Sequence, residues 1–137
     1  TAKVLAADLL DVDAWWDGDP FDLILLDAPC SGTGVIRRHP DIRHHRRPAD
    51  IGHYAEQQKR MLHQLWKLLA PKGEMVYVTC SILMQENDEP VRELCAKYDD
   101  AQLRHYTLPG AVRTDCGAQF LPNSVQDGLY YASLRKV

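Results

Sequence analysis

Asp27, Cys30 and Cys80 are the residues of this 137-residue chain whose types and settings could do chemistry together. The first two lie in Leu25-Leu26-Asp27-Ala28-Pro29-Cys30-Ser31-Gly32-Thr33-Gly34, where a run of buried-strand residues stops at a carboxylate, a proline, a thiol and two glycines. Cys80 has the same setting, since Val76-Tyr77-Val78 runs into Thr79-Cys80-Ser81. In an open α/β sheet, ligands bind in the crevice beyond the carboxyl ends of the strands, so strand-end acids and thiols are aimed there.

Several chemistries compete for such a set. A cysteine hydrolase needs a histidine to activate its thiol, and no strand-end histidine accompanies either cysteine. A tyrosine phosphatase needs a cysteine and an arginine in one phosphate-cradling loop, and Cys30 and Arg37 are too loosely spaced for that. The bland alternative is a purely structural pair of buried thiols. The remaining possibility is addition to a pyrimidine. Carbon 5 of cytosine becomes nucleophilic once a thiolate adds at carbon 6, and a carboxyl group on the ring's nitrogen edge offsets the charge that develops. A base must then take the proton from carbon 5 so that the thiol can leave. Cys30, Asp27 and Cys80 fit that division of labour, and the residues alone leave the two thiol roles open.

The elements that must position these groups read as an α/β chain. Residues 4–7 form a short apolar run ending in Asp8, expected to be a parallel strand with its carboxylate at the crevice. The acid-rich stretch that follows, up to Pro20, is a connector with a short helical turn and lacks the spacing of a calcium loop. Residues 21–26 are almost unbroken apolar, which predicts a strand buried on both faces of a parallel sheet. Between Val35 and Pro48 stand Arg37, Arg38, Arg43, Arg46 and Arg47 with three histidines and no sustained period. That stretch reads as a loop or irregular helix at the crevice mouth, favoured as a phosphate-binding surface over a merely solvated loop.

Residues 50–69 have apolar positions at helical spacing, ended by Pro71 and Gly73, with His63 expected to face solvent. Residues 74–79 are the second thiol-bearing strand, so strand, helix and strand make a right-handed crossover. Asn87 to Pro90 starts another helix, with Val91, Leu94, Cys95 and Tyr98 on its buried stripe. Residues 101–106 predict a strand, 113–123 an irregular stretch containing Cys116, Gln126-Asp127-Gly128 a turn, and 129–134 a closing strand. The expectation is one domain, residues 1–137, with helices on the faces of a sheet.

A net charge of -3 argues against global attraction to nucleic acid, but the positive charge is bunched in one stretch. No apolar run is long enough to span a bilayer and no signal-peptide order opens the chain, so a soluble cytoplasmic protein without a membrane partner is expected. Four widely spaced cysteines suggest neither a disulfide framework nor a metal site. The first residues read like the interior of a domain, which suggests a fragment.

Taken together, Asp27-Ala28-Pro29-Cys30-Ser31-Gly32-Thr33-Gly34, Arg37-Arg38-His39-Pro40-Asp41-Ile42 and Thr79-Cys80-Ser81 resemble the RNA cytosine-C5 methyltransferases of the NOP2/Sun superfamily. The bacterial Sun (Fmu) branch, which modifies small-subunit ribosomal RNA, is the nearest likeness. Residues 117–122 and 127–132 are similar to that branch's C-terminal end. The resemblance implies a Rossmann-like S-adenosylmethionine-dependent fold and ribosomal RNA as partner. It implies Cys80 as nucleophile, Cys30 as the group assisting product release, Asp27 between cofactor and base, and Asp8 on the cofactor. DNA cytosine methyltransferases attack instead from a Pro-Cys, which makes Cys30 the second candidate. A non-catalytic RNA-binding module that keeps the fold is the rival of a different class.

The family's sheet order, 3-2-1-4-5-7-6, implies that this chain supplies strands 3 to 7 as the C-terminal part of the catalytic domain. Strands 1 and 2, with the glycine-rich cofactor loop, do not precede Thr1, so the chain by itself is expected to be inactive. The strand at residues 21–26 would then have an apolar edge, covered by a shift of the residue 4–7 strand or by self-association of two chains.

Overall fold

A computed structural model describes residues 2–137. Strand β1 (Phe21–Asp27) leads through a 3-10 turn and the short helix α1 (Ile42–His45) into helix α2 (Pro48–Leu68). Pro48 opens α2 at the position where a missing N–H costs nothing, and Asp50 caps it by accepting the Arg47 N–H at 2.8 Å. Strand β2 (Leu69–Thr79) returns parallel to β1, with Leu25 opposite Val76 and Asp27 opposite Val78. Between Leu69 and Gly73 the strand bulges, and Lys72 there has a φ of 67°.

Helix α3 (Asp88–Lys97) and strand β3 (Ala101–Arg104) follow. The chain ends with a two-strand excursion, β4 (Val112–Arg113) and β5 (Ala118–Phe120), and the long closing strand β6 (Leu129–Lys136). β6 is antiparallel to β2 on one side, and on the other it pairs with β5 near its start and β3 near its end. The order β1-β2-β6-β3 corresponds to the expected 4-5-7-6.

Ile24, Leu26, Met75, Tyr77, Tyr130, Ala132 and Leu134 alternate onto one face of the sheet and form a single core with Leu62, Leu65 and Trp66 of α2 and Val91 and Leu94 of α3. Burying these side chains is the main stabilising contribution, about 1.5–3 kcal/mol for each large aliphatic or aromatic group. Trp66 adds a polar anchor, donating its indole N–H to Asp100 Oδ1 at 2.9 Å.

Several expectations are corrected. Residues 4–7 form no strand: Val4 and Leu5 are exposed, and they pair with nothing in the sheet. Without that strand, β1 is the unpaired edge of the sheet. β1 is buried on one face only, because both long helices pack on the same side, and Leu23 and Leu25 on the other remain 63% and 67% exposed. An unbroken apolar run reports that both faces of a strand suit burial; it does not say that this stretch of chain supplies both covers. The stretch 113–123 is not irregular but contains β5, with Cys116 buried beside it. Residues 126–128 form a strap without a turn of its own: the chain bends just before, at 124–125, where Asn123 N–H donates to Gln126 O at 2.9 Å, and Gly128 then donates its N–H to Gly34 O at 2.8 Å.

Candidate active site

β1 and β2 end side by side, so the loops that follow them are neighbours, and there the two cysteines meet. Cys30 Sγ and Cys80 Sγ are 3.3 Å apart, both half-buried. Their backbones are joined as well, since Gly34 N–H donates to Cys80 O at 2.9 Å and Ala28 N–H to Val78 O at 3.0 Å. Gly34 is required here: a Cβ on it would lie 2.2 Å from Gly128 O and 2.8 Å from Cys80 O, and neither backbone atom can yield cheaply.

The two thiols differ in acidity. The Cys80 thiol is lowered to about 7, chiefly by the hydrogen bond from Cys30, against burial and the nearby charges of Asp27 and Glu86, which push it up. Cys30 is raised far above the ordinary thiol range, first by that same hydrogen bond and then by burial. The two thiols thus titrate as a pair that shares a proton across the contact, and the surroundings favour the charge on Cys80.

Asp27 closes β1 on the open side of the sheet, in line with Leu23 and Leu25, and is exposed. Its carboxylate accepts no hydrogen bond among the described residues and is close enough to Cys80 to affect its titration. Asp8 belongs to a different local structure. Its carboxylate accepts the Leu10 N–H at 2.9 Å and its carbonyl accepts Trp15 Nε1–H at 3.2 Å, so it caps a turn ahead of β1.

The basic stretch does lie beside the cysteine loops, as a 3-10 turn and α1, but its arginines are not equivalent. Arg37 and Arg38 both pair with Asp127 on the strap, the first at 3.7 Å. Arg46 donates Nε–H to Ser31 O at 2.8 Å and lies over the Tyr54 ring, so it braces the Cys30 loop. Arg43 and Arg47 are exposed, and no carboxylate pairs with them among the described residues. His63 does not face solvent as expected: it is tucked against Tyr98 with Nε2 3.5 Å from Glu93, and burial lowers its pKa. Among the described residues no cluster of three or more His, Cys, Asp or Glu side chains could hold a metal, and no helix is long and apolar enough to cross a membrane.

Sequence reasoning missed Glu86. It is fully buried and accepts hydrogen bonds from Ser31 N–H at 2.7 Å, Ser31 Oγ–H at 2.5 Å and Ser81 Oγ–H at 2.6 Å. Gln58, also fully buried on α2, donates to Pro29 O at 2.9 Å and to Glu86 Oε1 at 3.3 Å. Thr33 Oγ1 bridges to Ser81 Oγ at 3.1 Å, and Asn87 donates to Ser81 O at 3.0 Å and to Gln119 Oε1 at 2.8 Å. The serines that follow both cysteines were the available signal, since buried hydroxyls need acceptors.

A parallel strand–helix–strand unit closed by an antiparallel strand, with an acid and a thiol pair at the strand ends, has the Rossmann-like architecture of S-adenosylmethionine-dependent methyltransferase structures. The crystal structure of PH0851 superposes over 98% of this chain and 31% of that one, with a TM-score of 0.91 and 27% identity. The structure of NSun6 from Pyrococcus horikoshii with SFG covers 98% of this chain and 34% of its own, with a TM-score of 0.81 and 27% identity. A protein-family model described as 16S rRNA methyltransferase RsmB/F matches residues 1–135. The chain belongs to that family. Ribosomal RNA small subunit methyltransferase B of Shewanella oneidensis is 47% identical over 98% of this chain and 32% of its own length. The protein of the same description from Vibrio cholerae is 47% identical over 99% of this chain and 30% of its own. The chain thus spans about a third of the length of the curated relatives it matches.

Proposed function

We propose that the protein to which this chain belongs transfers a methyl group from S-adenosylmethionine to carbon 5 of a cytosine in small-subunit ribosomal RNA, with residues 1–137 as the C-terminal part of its catalytic domain. The observation that carries this reading is the 3.3 Å contact between two thiols of opposite acidity at the ends of parallel strands. Cys80, with its thiol near 7, is the nucleophile: its sulfur bonds to carbon 6 and the ring becomes an enamine at carbon 5. S-adenosylmethionine, when bound, supplies the electrophilic methyl group. Asp27, exposed on the open side of the sheet, meets the nitrogen edge of the ring as a carboxylic acid and gives its proton to that nitrogen, so that the negative charge left by the attack is neutralised.

Cys30 acts after attack. While Cys80 is a thiolate, the proton on Cys30 is locked by it; once Cys80 is consumed in a thioether, that hydrogen bond and its charge are gone. Cys30 is then free to ionise, to take the proton from carbon 5 and so to return the electron pair that expels Cys80.

The residues of this chain fit only part of a cofactor site. Asp27 has a carboxylate free to accept, whereas Asp8 reaches the cofactor only if its own turn opens. Gly32 and Gly34 offer no cradle, since Ile42 and Gly128 fill the space beside them. Residues 1–137 alone are therefore expected to be inactive and to bind S-adenosylmethionine weakly, and the unpaired β1 edge is the surface through which they would self-associate. Arg43 and Arg47 meet RNA phosphates directly, Arg37 and Arg38 in exchange for Asp127, and Arg46 through the loop it braces. A cytoplasmic location follows from the substrate.

Trapping a covalent RNA adduct on the full-length protein tests the reading. The adduct is expected to require Cys80 and to accumulate when Cys30 is replaced. The reverse pattern would exchange the two roles. Loss of trapping in every form, with salt-sensitive RNA binding retained, would leave an RNA-binding module.

A further inference from the structure

Two sulfurs in contact across two separate loops need something to hold those loops in register. The strands cannot do this alone. The last β1–β2 register pair is Asp27 with Val78, which leaves Cys30 three residues and Cys80 two residues beyond it. Gly34 N–H reaches Cys80 O at 2.9 Å and Thr33 Oγ1 lies 3.1 Å from Ser81 Oγ, and one carboxylate joins the residues next to both sulfurs. Glu86 Oε1 takes the Ser31 N–H, and Oε2 takes the hydroxyls of both Ser31 and Ser81, the residues that directly follow the two cysteines.

The setting of Glu86 argues for more than packing. It is fully buried, and no lysine, arginine or histidine lies within ion-pair distance of it among the described residues. A buried carboxylate met only by neutral donors bears a desolvation penalty that an apolar or amide side chain would avoid. It is itself anchored from behind: Tyr77 Oη–H donates to the Glu86 carbonyl at 2.6 Å, and Gln58 links its carboxylate to Pro29 of the Cys30 loop. An acceptor-only group with two oxygens is the side chain suited to collect three donors from two loops at once, because an amide would turn one acceptor into a donor facing hydroxyls.

We propose that Glu86 is a positioning residue for the thiol pair: by binding Ser31 and Ser81 on one carboxylate it keeps Cys30 and Cys80 in contact, so that the pair can act in turn on one base. The inference rests on the methyltransferase reading, but its central measurement does not.

Phenylarsine oxide, which bridges two thiols only when they are neighbours, reports on the pair without any RNA or cofactor. In the full-length protein, with Cys30→Ser as the blank, Glu86→Gln and Glu86→Ala are expected to weaken bridging by about tenfold or more while each cysteine still reacts with a monofunctional alkylating agent. In turnover assays the same variants are expected to lose about 10- to 100-fold in kcat, the scale of a misplaced reacting group, with KM for RNA unchanged. A structural role alone would lower the melting temperature without that split.

Should both Glu86 variants fail to fold, Ser31→Ala combined with Ser81→Ala removes the hydroxyl tethers from the other side and is expected to give the same loss of bridging. Bridging and kcat at wild-type levels in Glu86→Gln, or in the serine pair when that carries the test, would overturn the proposal. If bridging depends on Glu86 but neither the wild-type protein nor Cys30→Ala forms an RNA adduct, the positioning role stands and the methyltransferase chemistry falls.

Discussion

The loops after β1 and β2 are built alike, each a strand end followed by a cysteine and a serine, yet they hold their protons in opposite ways. The Cys80 thiol is drawn down to about 7, while Cys30 is pushed up by the hydrogen bond it donates and by burial. The two loops are also held by different partners: Arg46 and Gln58 brace the carbonyls of Ser31 and Pro29 in the Cys30 loop, whereas Asn87 and Gln119 brace the Ser81 carbonyl in the Cys80 loop. The difference teaches how two identical groups divide an acid and a base role, since environments that push two pKa values apart assign the roles. It is also mutual, because each thiol is the main cause of the other's shift.

Breaking the comparison at its reactive end has the largest expected effect. Cys80→Ser in the full-length protein should lower methyl transfer by about 10⁴-fold or more, as removal of a nucleophile does, and abolish the RNA adduct on a denaturing gel. Cys30→Ala should retain adduct formation and block its release. It should also move the acid limb of Cys80 alkylation, followed by iodoacetamide reactivity against pH, upward from about 7 toward the ordinary thiol value. The sign follows from the cause: the thiolate is favoured by the Cys30 S–H, and without that donor a higher pH is needed to ionise Cys80. An unmoved limb would mean that the two loops titrate independently.

A smaller effect is expected from loosening the contact between the two loops. Gly34→Ala forces a Cβ onto the Gly128 and Cys80 carbonyl oxygens and should destabilise the protein by about 1–3 kcal/mol, read as a lower melting temperature. Gly52→Ala, with open space around its Cβ position, is the matched control.

The smallest effects sharpen the comparison at the surface. Arg43→Ala or Arg47→Ala should each reduce the salt dependence of RNA binding by about one unit of slope. Asp127→Asn should strengthen that binding, because it releases Arg37 and Arg38 from the strap. Filter binding across a salt series distinguishes the two outcomes; weaker binding by Asp127→Asn would show that the strap orders those arginines for RNA rather than competing for them.

Much of this was legible in the residues because it is local. The strand at β1, the amphipathic helix α2 opened by Pro48, the strand ending in Thr79-Cys80-Ser81 and the helix begun at Asp88 all declare themselves by period and by caps. The short run at residues 4–7 misled because four apolar residues do not make a strand without a partner to accept its hydrogen bonds. The strap at 126–128 misled because Asp-Gly is a turn signal only when nothing nearby captures the backbone, and here Gly34 does. Glu86 was invisible since a glutamate among polar residues reads as surface until the serines that bind it are brought to it.

By itself the sequence determined which groups are present and at which strand ends they stand: an acid and a thiol after β1, a thiol after β2, and a basic stretch between them. Only the tertiary structure decided that the two sulfurs touch, so that they titrate as a pair, and which arginines remain open to a phosphate. The physical reason is range. Periodicity and capping act over a few residues, whereas the Cys30–Cys80 contact spans fifty positions and the Ser31–Glu86 bond fifty-five, and both exist only after β1 and β2 pair.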